Sequence, residues 1–190
     1  KSAIGGDYRK QSGFYYTPTV FYFFSLVQFM LHPLAPEFRD YMDKAYSLYK
    51  FGALTPLDYI NSIKINYFYI FFLMKLPYLI FDIGILFIIL RMVKTWQNTK
   101  KSFLLWLFNP VVLYGTYAYA QFDIIPTFLL LVGIYFCFKN KIIFGVLIIG
   151  IAATFKNFAL FAILPITFSL GKNIKERLFL SLLGFSPFLI

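Results

Sequence analysis

The sequence is poor in cysteine, in histidine and in charged residues, and each shortage excludes a class of protein. Its one cysteine, Cys137, lies within an apolar run and has neither a second cysteine for a disulfide nor the spacing of a zinc site. Its one histidine, His32, has no matched cluster of cysteines or carboxylates that would complete a metal centre. The residues therefore predict no cofactor, and they leave open whether a divalent metal takes part.

Charged residues make up 14% of the chain, whereas 60% of it is hydrophobic and 23% aromatic. A soluble domain has about 25% charged residues and about 45–50% apolar ones. Apolar runs of helical length recur along the chain and are separated by short polar breaks. The composition predicts an all-α fold, a polytopic transmembrane helical bundle. We expect a multi-pass protein of a bacterial plasma membrane or of an ER membrane.

The formal net charge of +10 comes from basic residues in short clusters between the apolar runs. A nucleic-acid-binding protein would carry them along one face, so no nucleic-acid partner is predicted. The clusters in 91–101, 139–141 and 172–177 fall on one side of a membrane if the chain crosses twice between each, as the positive-inside rule requires. The opposite side then receives the polar residues at 121–123 and at 156–157. The basic clusters are also expected to contact anionic membrane lipids.

The sequence predicts a single membrane domain over residues 1–190, in two parts. Residues 1–65 are expected to form an external loop with interfacial helices, one of them an aromatic segment after Pro18 that is short for a full crossing. Residues 66–190 are expected to form about six transmembrane or half-spanning helices, the clearest of them at 66–90. Because the chain does not begin with Met and ends within an apolar run, we expect it to be a fragment.

Lys156 and Asn157 lie between two uncharged runs, 142–154 and 158–170. Each run spans only about 20 Å as a helix, less than the roughly 30 Å of a hydrocarbon core, so a water-accessible cavity at the break is expected. Since charges at membrane depth are costly, Lys156 is a candidate for binding the phosphate of a lipid-linked substrate, with Asn157 as the cap of a helix starting near Phe158. A lysine that snorkels to the interface explains the residue equally well.

Two further pairs of polar residues interrupt the apolar runs. Gln121 and Asp123 lie at an expected external turn. They could hydrogen-bond a sugar there or stabilise the loop, and the residues alone favour the second role. Lys75 and Asp82 are seven residues apart, so they share a helix face about 10 Å apart. Because side chains lean toward the helix N-terminus, each is expected to find a partner on a neighbouring helix rather than in the other.

Three stretches of the chain resemble, in this order, the membrane core of GT-C glycosyltransferases: LLWLFNPVVLYG, YAQFDIIPTFLLLVGIYF and GVLIIGIAATFKNFALFAILPI. The nearest similarity is to the dolichyl-phosphate-mannose-dependent group that includes the first GPI mannosyltransferase. The family shows Phe-Asn-Pro, then a Gly-Asn-x-Asp or Gly-Gln-x-Asp turn, then a glycine-to-lysine run that ends in Leu-Pro. The matching positions here are Asn109–Pro110, Gln121 with Asp123, Gly150 to Lys156, and Leu164–Pro165. Upstream, Asp82 resembles the acid within the family's second span, and Tyr16 with Pro18 resembles its Tyr-x-Pro element.

The resemblance implies an integral membrane glycosyltransferase, mannosyl or hexosyl, with a polyprenyl-phosphate sugar as donor. The acceptor would be lipid- or glycan-linked and would react on the external or lumenal side. The substrate-binding candidates are Lys156, Asn157, Gln121, Asp123 and Lys75. In such enzymes a carboxylate of the first external loop acts as the base. We expect that loop to begin upstream of residue 1, and Asp7 is an outside candidate within it.

The chain departs from the family pattern at two places, and both leave the acceptor undefined. Ala120 stands where the family usually has glycine, and residues 34–65 form a long insertion. The alternative function is a transporter or flippase of lipid-linked sugars, which would share broken helices and charges at membrane depth. Such proteins often contain internal repeats. The pattern of residues 66–138 does not recur within the chain, which favours the enzyme.

Overall fold

The computed structural model describes residues 18–36, 67–93, 96–118 and 121–189, and all regular secondary structure within these ranges is helical. Its seven longer helices are α1 (Pro18–Leu31), α2 (Tyr67–Met92), α3 (Trp96–Leu107), α4 (Ile124–Phe138), α5 (Ile142–Phe155), α6 (Leu160–Leu170) and α7 (Ile174–Phe185). Shorter helical turns cover Pro110–Val112, Leu113–Ala118, Asn157–Ala159 and Ser186–Leu189. The all-α prediction is thus confirmed for the described ranges. The predictions on Asp7, Tyr16, Ala120 and most of the loop 34–65 lie outside the described residues.

The helices α4 and α5 form an antiparallel hairpin with a very close backbone contact. Gly133 of α4 faces Gly145 of α5, and a side-chain carbon added to Gly133 would lie 2.7 Å from the carbonyl oxygen of Gly145. Small residues permit such close helix packing. Val146 and Ile149, which follow Gly145 on α5, are completely buried. The glycines therefore position α5 at the centre of the bundle.

The helices α6 and α7 form a second hairpin, which packs against α5. The side chain of Asn173 accepts a hydrogen bond of 2.9 Å from the backbone N–H of Glu176 and so caps the first turn of α7. The hydroxyl groups of Thr167 and Ser181, both buried, lie 2.8 Å apart between α6 and α7. A polar contact within an otherwise apolar interface fixes how far one helix can slide along the other.

The helices α5 and α7 run in the same direction. A side-chain carbon on Gly184 of α7 would meet Val146 of α5. One turn later on α5, a side-chain carbon on Gly150 would meet the carbonyl oxygen of Gly184 and the ring of Pro187, which lies just past the end of α7. The N-terminal ends of α5 and α7 therefore lie at the same end of the bundle.

The helix α2 packs against α4, and these two helices run in the same direction. The ring of Phe81 lies 5.3 Å from that of Phe128. Nearer to the N-terminus of each segment, Tyr78 and Phe122 both contact Phe24 of α1, with ring centroids 6.5 and 5.8 Å apart. The C-terminal ends of α2 and α4 therefore share one end of the bundle, where α5 begins.

These helix directions place the described charged residues at two ends of the bundle, except Asp82, which lies midway along α2. At the basic end, Glu176 is the one acid among the described residues. Its cations are Arg91, Lys100, Lys101, Lys139, Lys141, Lys172, Lys175 and Arg177. At the opposite end, called here the polar end, lie Lys75, Asp123 and Lys156. The arrangement agrees with the predicted grouping of the basic clusters opposite residues 121–123 and 156–157.

The distance between the two ends is nearly the same along three helices. Lys75 and Arg91 on α2 are 16 positions apart, as are Asp123 and Lys139 at the two ends of α4. Lys141 and Lys156, at the two ends of α5, are 15 positions apart. At 1.5 Å per residue, the backbone positions of these charged residues therefore lie about 24 Å apart along the helices.

One helix among the described residues is long and apolar enough to cross a membrane, the 21-residue stretch Phe72–Met92 of α2. Within the segment 66–90, predicted as the clearest span, residues 67–90 are therefore helical, and the helix is of sufficient length. Four shorter apolar helices are Pro18–Leu31, Ile124–Phe138, Ile142–Phe155 and Asn157–Leu170. All four are shorter than the roughly 20 residues that a full crossing requires.

Between the basic clusters 91–101 and 139–141, two crossings with one turn at 121–123 were predicted, and the chain contains one further break. The expected turn before α4 is present, but α3 already ends at Leu107. The side chain of Asn109 accepts hydrogen bonds from the backbone N–H groups of Val111, at 3.0 Å, and Val112, at 3.4 Å. Pro110 at the first helical position disfavours a helical conformation in the residue before it. Asn109 therefore starts a new helical turn instead of continuing α3.

Candidate functional site

Lys156 stands at the break between α5 and α6. The helix α5 ends at Phe155, Lys156 is extended with φ −155° and ψ 131°, and helical structure resumes at Asn157. The ammonium group of Lys156 donates a hydrogen bond to Oδ1 of Asp123, the residue before α4, and forms an ion pair with it. The side chains of Lys156 and Asp123 are 41% and 37% exposed. The pair is therefore accessible at the polar end.

Asn157 does not cap the following helix, and that prediction was wrong. Asn157 is the first residue of the turn Asn157–Ala159, and the cap position before it belongs to Lys156. The reason is that Lys156 alone takes the extended conformation, so the helical turn begins one residue earlier than expected. The residue Asn157 is exposed at the polar end beside Lys156.

The helix α1 packs against the polar end through two phenylalanines. The ring of Phe23 lies 5.7 Å from that of Phe155, the residue before Lys156. The ring of Phe24 lies 5.8 Å from that of Phe122, the residue before Asp123. Edge-to-face aromatic contacts of this kind stabilise by about 0.5–1.5 kcal/mol each beyond the burial of their surface. They hold the two segments that carry the ion pair.

The ion pair of Lys156 and Asp123 leaves capacity for a ligand. A pair this exposed contributes only about 0–1 kcal/mol to stability, because water screens the two charges. A lysine ammonium has three N–H donors, and Asp123 accepts from one of them within the described part of the chain. Two donors therefore remain for an anion that approaches Lys156 from the exposed side.

Gln121 lies two residues before Asp123, on the wall of an open cleft of about 550 Å³. Its backbone N–H donates to the carbonyl oxygen of Gly115 at 2.9 Å, which folds the segment back on the π-helical turn Leu113–Ala118. The residue itself is exposed. The structure thus brings Gln121, Asp123 and Lys156 to one end of the bundle, as the sequence analysis predicted.

Lys75 and Asp82 belong to a separate network that Tyr117 completes. The ammonium group of Lys75 donates to the backbone carbonyl of Tyr117. The carboxylate of Asp82 accepts hydrogen bonds of 2.7 Å from the hydroxyl of Tyr117 and from Nε1 of Trp106. The prediction that Lys75 and Asp82 find partners on neighbouring segments, and not in each other, is therefore confirmed. Nothing in the spacing of Tyr117 and Trp106 connects them to α2, so neither residue was predicted to belong to this network.

Replacing Tyr117 with phenylalanine should destabilise the protein by roughly 1–3 kcal/mol. The hydroxyl of Tyr117 is one of two donors to the carboxylate of Asp82, and its loss leaves that charge with Trp106 alone. The midpoint of thermal unfolding in detergent measures the effect. Tyr22→Phe is the matched control, since Tyr22 is 76% exposed on α1. Equal midpoints for the two variants would contradict a structural role for the Tyr117 hydroxyl.

Within the described residues, no three side chains from histidine, cysteine, aspartate and glutamate come together as a group that would hold a metal ion. No protein-family model, curated protein or solved structure matches the chain. The GT-C resemblance therefore stays a prediction from the sequence motifs.

Proposed function

We propose that this chain is the membrane domain of a GT-C glycosyltransferase. It transfers a hexose, in the nearest family mannose, from a polyprenyl-phosphate donor to a lipid- or glycan-linked acceptor on the external or lumenal side. The observation that carries the proposal is the accessible pair of Lys156 and Asp123 at the polar end of an otherwise apolar bundle. A lysine with spare donors at this depth suits the phosphate of a membrane-borne substrate.

A location in the membrane is supported by the surface of α2. Only 22% of its most apolar 18-residue stretch is buried, whereas the core helix of a soluble protein is mostly buried. Ile80, Ile83 and Phe87 are 68%, 58% and 55% exposed along one side of this helix. Soluble proteins rarely expose a contiguous apolar surface of this kind. Lipid chains are the environment in which such a surface is stable.

The spacing of the charged ends supports a substrate site below the membrane surface. About 24 Å between the two ends is less than the roughly 30 Å of a hydrocarbon core. With the basic end at the cytoplasmic surface, Lys156 and Asp123 lie several ångströms within the outer boundary of the hydrocarbon. Interrupted helices at that depth are tolerated where they line a water-filled cavity. A lipid-linked phosphate reaches such a position from the surrounding leaflet.

Lys156 assists the reaction by stabilising the leaving group. The acceptor hydroxyl attacks the anomeric carbon of the donor sugar, and the bond from that carbon to the phosphate oxygen breaks. The polyprenyl phosphate leaves with the electron pair, so negative charge develops on the oxygen that Lys156 contacts. Donors aimed at a developing charge lower the barrier more than they stabilise the bound substrate. Asp123 holds Lys156 in place until the phosphate takes over one of its donors.

A carboxylate of the external loop accepts the proton of the attacking hydroxyl. Asp7 is the candidate within this chain, and it lies outside the described residues. Gln121 and Asn157 are exposed at the polar end, where their amides can hydrogen-bond the sugar or the phosphate.

Sugar transfer by the full-length protein tests the proposal. Membranes that contain it are given a radiolabelled polyprenyl-phosphate hexose together with lipid and glycan acceptors, and the labelled product is counted. We expect transfer from the polyprenyl-phosphate donor with at least one hexose. We expect none from a nucleotide sugar in membranes that lack the enzyme that transfers hexose from a nucleotide sugar to polyprenyl phosphate. Translocation of the labelled donor across vesicles without any transfer would contradict the enzyme and indicate a flippase.

A further inference from the structure

The cleft beside Gln121 is built differently from the Lys156 site. Its other lining residues are Pro110, Val111, Tyr114 and Gly115, from the two helical turns that follow α3. Its volume of about 550 Å³ lies in the range of pockets that bind organic ligands. No lining residue is charged, and Val111 and Tyr114 are 78% and 66% exposed. The cleft is therefore open and mostly apolar.

The backbone of the cleft wall offers few donors to a polar ligand. Pro110 has no N–H, and the side chain of Asn109 already accepts from the N–H groups of Val111 and Val112. The N–H of Gln121 is bonded to the carbonyl oxygen of Gly115. A phosphate needs several N–H donors or a cation. The cleft consequently favours an apolar ligand over an anion.

The cleft adjoins the segment that carries Asp123 of the ion pair. Gln121, its most polar wall residue, is two residues from Asp123, which pairs with Lys156. Pro110 and Val111 lie farther back along the segment that leads from α3. An amphiphile with an anionic head and an apolar chain would place its head at Lys156 and the start of its chain past Gln121.

We propose that this cleft binds the first isoprene units of a polyprenyl phosphate, the chain end next to the phosphate. The assignment rests on the proposed function for its choice of ligand. In this assignment Lys156 binds the phosphate of the ligand, and the wall Pro110–Gly115 contacts its isoprenoid chain. An isoprenoid suits this wall because branched apolar units fill an apolar cleft without requiring hydrogen bonds.

Replacing Gly115 with a larger residue would fill the cleft without disturbing the packing of the surrounding helices. A side-chain carbon built on Gly115 has no atom within 4 Å, and the residue lines the cleft. Gly115→Leu therefore places a branched side chain in the space assigned to the isoprenoid. Val111→Phe is a second variant with the same purpose, because the Val111 side chain is exposed. Ile143→Phe is the matched control, because it adds an aromatic ring to an exposed position of α5 near the basic end, away from the cleft.

The test is photolabelling of the purified full-length protein by geranylgeranyl phosphate with a diazirine on its second isoprene unit. A diazirine-bearing dialkyl phosphocholine serves as the probe for bulk lipid. We expect the isoprenoid probe to label the peptide that contains residues 110–121, and Gly115→Leu and Val111→Phe each to lower this labelling about tenfold. The control Ile143→Phe should leave it unchanged. Labelling of the same peptide to the same extent by the phosphocholine probe, or unchanged labelling in both cleft variants, would overturn the assignment.

Labelling does not depend on sugar transfer, so the two proposals fail separately. A protein that transfers no sugar but is labelled at residues 110–121 by the isoprenoid probe alone supports the cleft and contradicts the enzyme. A protein that transfers sugar with the same KM for the donor in wild type, Gly115→Leu and Val111→Phe contradicts the cleft and supports the enzyme.

Discussion

Replacing Lys156 with alanine is expected to lower the rate of sugar transfer by about 100-fold to 1000-fold, the effect typical of losing one donor to a developing negative charge. The ammonium group is the cation that the structure places at the accessible break of α5, with two donors not used by Asp123. Its loss removes stabilisation from the departing phosphate. The fold should persist, because an ion pair this exposed contributes little to stability. Initial rates with a polyprenyl-phosphate hexose in membranes measure the effect.

The chain contains a matched control for this experiment. Lys141 and Lys156 precede and follow the same helix, α5, but Lys141 lies at the basic end with its ammonium 5.9 Å from the ring of Phe136. Lys141→Ala should keep the wild-type rate, provided that the amount of inserted protein is the same. Equal rates for wild type, Lys156→Ala and Lys141→Ala would instead identify Lys156 as a lysine that reaches the interface and has no role in transfer.

Replacing Gly150 with alanine is expected to destabilise the bundle by roughly 3 kcal/mol, at the upper end of the usual cost of overpacking. A methyl group on Gly150 would overlap the carbonyl oxygen of Gly184 and lie 2.9 Å from the ring of Pro187. Both obstacles belong to backbone or to a rigid ring, so α5 and α7 must move apart. Ile163 and Val146, buried at this crossing, would then lose contacts. The midpoint of thermal unfolding in detergent should fall by several degrees.

Gly115→Ala is the control for the effect of alanine itself. It adds the same methyl group to a helical glycine, but here no atom lies within 4 Å of the new carbon. We expect an unchanged or slightly higher midpoint, since alanine is favoured over glycine in a helix by roughly 0.5–1 kcal/mol. Similar midpoints for Gly150→Ala and Gly115→Ala would contradict the close crossing of α5 and α7.

The positions of most helices and of both breaks at the polar end follow from the sequence. Uncharged runs on both sides of Lys156 predict two helices with an interruption, and α5 and α6 are separated there. The polar residues at 121–123 predict the turn before α4 in the same way. Hydrophobic runs determine where helices form because each buried or lipid-facing segment must satisfy its own backbone hydrogen bonds. That constraint is local, so the sequence expresses it directly.

The contacts of the candidate site do not follow from the sequence, because they join distant segments. Asp123 and Lys156 are 33 positions apart, and their pairing depends on the close contact of Gly133 with Gly145 that aligns α4 with α5. Tyr117 meets Asp82 because the chain breaks at Asn109 and the helical turns that follow place Tyr117 against α2. Neither contact joins residues at a sequence separation that a helical or other regular pattern would predict. The sequence also leaves the exact start of a helical turn undetermined. Because the turn begins one residue earlier than predicted, Asn157 is its first residue and not its cap.

Binding of geranylgeranyl phosphate to the purified full-length protein tests the phosphate role of Lys156 without an acceptor or a sugar. The dissociation constant is compared among wild type, Lys156→Gln, Asp123→Asn and the control Lys141→Gln. We expect Lys156→Gln to weaken binding at least tenfold, while Asp123→Asn binds as tightly as wild type or more tightly, because the carboxylate competes with the phosphate for Lys156. If Lys156→Gln and Lys141→Gln both bind as wild type does, Lys156 is not the phosphate site.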